Sequence, residues 1–291
     1  VYASVSFAST GVLFNSGTLL SDQTELLRQR YEIFQQLFPS LELDWNSAQL
    51  LDGTELSLSA LQSLLHEFSD TIIKDVDDVK HPPNDMPRKL LLMSQRAVAE
   101  LPSQDACERM PPIEARPQII DQLLLKYLDK LYFPADVFTE DNFDLDINGL
   151  MTELVGAPTA VQLGTGSNKH WFDDLINFKL GHLNDEQQDL LDRFFYCRVF
   201  SWLYFGPGFH HFSLLAGIHH LIHLNVLIRL KLKGLLLESK RESLELLDLA
   251  EIVRTLERRL TQLQLSAKAK AGLEVLLSSA QRAQRIGSLA E

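Results

Sequence analysis

Between Phe209 and Leu237 lies the segment that most limits how this chain can fold. Phe212, Leu214, Leu215, Ile218, Leu221, Ile222, Leu224, Val226, Leu227 and Ile228 occupy most of a helical circumference and leave no continuous polar face before Arg229. A helix that is apolar all round belongs inside a bundle, because no side of it gains from water. The run from Phe212 to Leu230 is interrupted by three histidines and an asparagine, so it falls short of the ~18–20 uninterrupted apolar residues of a membrane span. The spacing therefore predicts a buried central helix over Phe209–Leu237, around which other amphipathic helices must pack.

Those partners are legible on both sides. Leu26, Leu27, Tyr31, Phe34, Leu37 and Phe38 recur at three- and four-residue steps, which predicts a helix over Ser21–Phe38 stopped by Pro39. Further helices are expected over Ser57–Lys74, Pro87–Leu101, Pro117–Tyr132, Trp171–Leu180, Glu186–Phe205, Ser243–Leu265 and Lys268–Ile286. Between the first two helices Leu41, Leu43 and Trp45 alternate, and Asn46-Ser47 and Asp52-Gly53 are turn signals, so a small hairpin is expected. Paired prolines mark the stretch 75–87 as a loop. No repeat of fixed period appears. The fold class is mainly α, a multi-helix bundle with at most a small β-hairpin.

Composition narrows the functions. With 45% apolar and 23% charged residues the chain can build a sizeable core. Its formal charge of −12 argues against a nucleic-acid binder. Two cysteines, Cys107 and Cys197, support no disulfide framework, and a soluble protein of the reducing cytoplasm is expected, with no membrane partner. Charge is divided unevenly: residues 225–291 hold twelve basic and eight acidic side chains, which leaves fifteen against thirty-one in residues 1–224. Either the two parts attract one another, or the helices have unequal solvated faces, or the basic part meets an acidic partner.

Few residues carry recognisable chemistry. His219 and His223 are four apart and point from one helix face, as a metal-binding pair requires, with His220 on a broadly similar side. They are the candidate metal ligands, and a third ligand such as His182 would have to come from another helix. The alternative is that they are buried structural histidines, neutral near pH 7. The segment from Gly164 to Trp171 meets neither the Walker nor the dinucleotide-loop pattern and reads as a turn with Asn168 leading into a helix. Cys107 has no base close in sequence, and Cys197 within an aromatic run reads as a small core residue. Asp77-Asp78 and Asp173-Asp174 read as solvated loop and helix-start charges.

The run Ser4-Val5-Ser6-Phe7-Ala8-Ser9-Thr10-Gly11-Val12 resembles the stretch S-L-S-L-A-C-P-E-V that closes the cysteine-rich N-terminal module of the flagellin lysine-N-methylases. Asp192–Pro207 resembles an aromatic-rich helix of that family, and the Leu-rich helix from Phe212 with the following LLDLAEIVRTLERRL resembles its closing pair of helices. The resemblance implies S-adenosylmethionine-dependent methylation of flagellin lysines in the bacterial cytoplasm, with an iron–sulfur cluster in the cysteine-rich module. In this register residues 1–15 are the end of a missing module and 16–291 an α-helical domain. Ser9 stands where the family has a cysteine, and Thr10 and Gly11 replace the following Pro and Glu, so a thiolate ligand is lost there. The rival expectation is a non-catalytic helical binding or scaffold protein.

Overall fold

A computed structural model describes residues 47–50, 55–74, 86–98, 117–134, 160–165, 168–241 and 243–290, together with 152 and 156. Of these residues 71% are helical, and they form nine helices and two small antiparallel sheets. The expected helix over Ser21–Phe38, Ser9, Cys107 and Asp77-Asp78 lie outside the described residues.

The first hairpin pairs β1 (Ser47–Gln49) with β2 (Glu55–Ser57). The alternating Leu41, Leu43 and Trp45 lie outside the described residues, and Ser47, expected in a turn, opens β1 instead. Helix α1 (Leu58–Lys74) follows directly and buries Leu61, Leu64, Leu65 and Phe68 on one stripe. Pro87 lies in the first turn of α2 (Met86–Val98), where its missing N–H is no loss. Helix α3 (Ile119–Tyr132) opens with a capping box: Asp121 Oδ2 accepts from the Gln118 backbone N–H at 2.8 Å.

The segment expected to turn into a helix at Asn168 is a second hairpin, β3 (Gln162–Thr165) with β4 (Asn168–Trp171). Val161 and Leu163 alternate into the core, and that period of two outweighs the helical tendency of the residues that follow. Helix α4 (Phe172–Asn177) then starts after Trp171 and is shorter than the spacing suggests.

Helix α5 (Asp185–Phe200) is capped by Asn184, whose Oδ1 accepts from the Gln187 N–H at 2.9 Å. It stops five residues before the expected Phe205. Leu203 N–H bonds back to the Arg198 carbonyl and Trp202 N–H to Val199, with Trp202 at φ 54°. That is a Schellman termination with tryptophan in the left-handed place that usually takes glycine. Residues 201–212 then form a tight loop in which the Gly206 N–H bonds the Phe212 carbonyl at 2.8 Å. The central helix α6 (Leu214–Ser239) consequently begins later than the expected Phe209.

Helix α6 is about 39 Å long at 1.5 Å per residue, and all but four of its residues are buried. Helix α2 lies along it, and α9 (Ala280–Gly287) packs against both. Helix α7 (Leu246–Gln262) closes on α5 and α6 through Leu249, Val253, Leu256 and Leu260. Helix α8 (Ala267–Leu277) also packs on α6. The single helix expected over Lys268–Ile286 is thus two, because Ser279 accepts from the Arg282 N–H and starts a new helix. No described helix is long and apolar enough to cross a membrane.

Candidate functional site

The loop before α6 and the first two turns of α6 build the chemically richest part of the core. His210 and His211 hold φ of 49° and 56°, unfavourable for residues with a β-carbon, and the loop bends sharply enough to lay Phe209 over α6. The Phe209 ring stacks on the His220 imidazole with centroids 5.0 Å apart and 19° between planes, while Phe212 meets the same imidazole edge-on. Gly217 permits this closeness, since a β-carbon there would lie 2.1 Å from the Tyr204 carbonyl oxygen. At the helix start, Glu274 of α8 accepts the Ser213 N–H at 2.9 Å, a negative charge against the positive helix end.

Tyr132 of α3 lies tilted against the same imidazole, ring centroids 5.6 Å apart, with its hydroxyl 2.8 Å from His220 Nε2. Burial pushes the Tyr132 phenol up and the His220 imidazole well down, with His223, Arg198 and His210 adding to the latter. Both groups are held neutral, at opposite extremes from the near-neutral values that suit a proton donor and acceptor at pH 7. Arg198 of α5 is buried beside them, its Nη1 donating to the Leu203 carbonyl and its guanidinium 5.1 Å from the Phe194 ring centre. Desolvation lowers it to about 10, against the pull of buried Glu257 on α7.

His219 and His223, the expected metal pair, are buried and spoken for at three ring nitrogens. His219 Nδ1 donates to the Leu277 carbonyl of α8 at 2.7 Å, which leaves Nε2 to accept the Ser94 hydroxyl proton of α2 at 2.9 Å. His223 Nδ1 donates to the His219 carbonyl at 2.6 Å, and its Nε2 is buried without a partner. Burial depresses both, His223 to about 4. His182, the suggested third ligand, is exposed between α4 and α5, and the described residues contain no group of three or more His, Cys, Asp or Glu arranged to hold a metal. Asp173 and Asp174 are exposed in the first turn of α4. Cys197 is half-buried on α5, its thiol pushed up by burial and by Glu257.

Several polar residues at this centre escaped the reading of the sequence. Tyr132 is an inward aromatic whose hydroxyl gives no periodic signal, and Ser94 looks like any small helix residue. For Arg198 and Glu257 the missed signal is a charge on the face that α5 and α7 turn inward, where each is buried. Away from the histidines, a cleft of about 480 Å³ lies between the first hairpin, α1 and α2, lined by Glu55, Leu56, Ser57, Ala60, Leu64, Arg96 and Ala97. No family model matches the chain, and neither a curated protein nor a solved structure matches it.

Proposed function

We propose that the described helical region is a non-catalytic binding or scaffold module. The observation that supports this reading is the use to which α6 puts its histidines. His219 joins α2 to α8, His220 joins α3 to the aromatic loop, and each imidazole is held neutral inside the packing. Polar groups committed in this way position helices; they do not move protons for a substrate.

A second reading rests on the resemblance: the helical part of a protein-lysine N-methyltransferase that acts on flagellin with S-adenosylmethionine in the bacterial cytoplasm. Its support is that Asp192–Phe200, the helical part of the first segment, and the two Leu-rich segments lie in α5, α6 and α7, with α7 packed on both of the others. An iron–sulfur cluster does not fit the described residues, because Cys197 is a single thiol held protonated by burial. In this reading the region docks the protein substrate.

Purified chain incubated with flagellin and labelled S-adenosylmethionine separates the readings. The expected result is no labelled lysine. Saturable flagellin binding without label supports the docking role, and labelled lysine would overturn the non-catalytic reading.

A further inference from the structure

The chain that joins α5 to α6 has two parts. Tyr204 and Phe205 are packed into the core. The residues after them leave the core and return to the same point. The Gly206 N–H donates to the Phe212 carbonyl at 2.8 Å, and the His211 N–H donates to the Gly206 carbonyl at 2.7 Å. On this excursion Pro207, Gly208 and His211 are exposed and His210 is half-buried. Of residues 207–211, Phe209 alone enters the core, with 5% of its surface exposed.

Phe209 is held there by rings. Its face lies on the His220 imidazole, and it meets Phe212 edge-on with centroids 5.4 Å apart. The His210 ring packs edge-on against it at 4.6 Å, a contact that belongs to the excursion itself. Against this anchor stands the backbone. His210 and His211 are consecutive residues in the left-handed region, where the β-carbon of an L-residue crowds the next carbonyl. Such strain persists only while the surroundings hold it, and the Phe209 ring is what fixes this segment to the core. Gly206, at φ 53°, takes up its own left-handed turn freely and supplies a hinge.

We propose that residues 207–211 are a flap that opens about its Gly206–Phe212 base while the bundle stays folded, and that Phe209, on leaving, vacates a recess for a planar aromatic ring. The floor of the recess is the His220 imidazole face, Phe212 stands at its edge, and the Tyr132 hydroxyl holds the imidazole from Nε2. Segments with few buried anchors open at lower free energy than the whole molecule. The flap goes beyond both functions proposed above and depends on neither.

Native-state hydrogen exchange of the full chain, followed by NMR at low guanidinium concentrations, tests the flap. The Phe209 and His211 amides should exchange through an opening at least about a hundredfold more frequent than that of the α6 amides, without the denaturant dependence of global unfolding. His211→Gly relieves one left-handed residue and should make this opening about fivefold rarer. Phe209→Ala should abolish the protection of these amides with α6 protection and far-ultraviolet dichroism unchanged, and saturating benzene should restore it. Should alanine disturb the fold, Phe209→Leu keeps an apolar plug without the stack and should open more often than the unaltered chain. Exchange of the Phe209 and His211 amides only by global unfolding, or an opening that His211→Gly leaves unchanged, would overturn the flap. Failure of benzene to protect Phe209→Ala would overturn the recess.

Discussion

One imidazole, that of His219, ties three helices together. Its donor reaches the Leu277 carbonyl and its acceptor the Ser94 hydroxyl, so both partners are needed for a neutral ring to be satisfied in the core. Ser94→Ala leaves Nε2 buried with no donor and should cost about 1–3 kcal/mol in urea unfolding. His223 gives a pH signature. Its folded value near 4 lies below the unfolded 6.5, so between those values the unfolded chain holds the extra proton. Stability therefore falls as pH drops from 6.5 to 4, by up to about 1.4 kcal/mol per pH unit, and no further below 4. Asp192 acts in the other direction, since its folded value near 6 exceeds 3.8 and favours the folded state as pH falls through that window. The informative quantity is thus a difference: His223→Gln should flatten the slope of unfolding free energy between pH 6.5 and 4 by about one proton. An unchanged slope would show that His223 does not titrate differently in the two states.

Helices were legible where their periodicity was unbroken, and less so where a backbone device cut them. Leu58–Lys74, Met86–Val98 and Ile119–Tyr132 match their expected spans to within three residues at each end, because capping residues and proline agree with the apolar stripe. The burial of the α6 histidines also followed from the apolar circumference alone. The breaks at Ser201 and at Ser278-Ser279 were hidden, since nothing in an aromatic run announces a tryptophan at positive φ, and a serine pair is weak punctuation. The partners of the histidines were hidden for another reason: Ser94, Tyr132 and Leu277 lie 125, 88 and 58 positions from them. At this scale Gly217 is the sharpest test. An added β-carbon would meet the Tyr204 carbonyl at 2.1 Å and also crowd the Phe205 side chain, so the aromatic loop would have to lift from α6. Gly217→Ala should lose about 3 kcal/mol despite its better helix propensity. It should also weaken the near-ultraviolet dichroism of the aromatic cluster, and gained stability would show that the loop yields freely.

Across the whole molecule, the uneven charge of the sequence is partly spent within the described structure. The acidic part supplies Asp129 to Lys231 and Asp121 to Arg282 and Arg285, so the attraction between the two parts is intramolecular at these points. Lys231 also reaches the Gly164 carbonyl, while Asp129 Oδ2 accepts the Gly164 N–H at 3.0 Å, and together they bind α3, α6 and the second hairpin. The Asp121 junction ties the start of α3 to α9. Its carboxylate is fully buried, caps α3, and receives Arg285 Nε and Nη2 at 2.7 and 3.0 Å and Arg282 Nε at 3.2 Å from α9. Asp121→Asn would keep the shape and remove the charge that both guanidinium groups face. Breaking a buried pair from one side leaves desolvated cations behind, so the cost should be about 3–5 kcal/mol and largely insensitive to salt. Asp189–Arg193, an i,i+4 pair on α5 with the carboxylate 43% exposed, provides the contrast. Asp189→Asn should cost no more than about 0.5 kcal/mol. Hydrogen exchange locates the effect: amides of α9 should lose protection in Asp121→Asn while those of α7 keep theirs, and uniform loss across the bundle would mean that Asp121 serves overall stability and not the docking of α9.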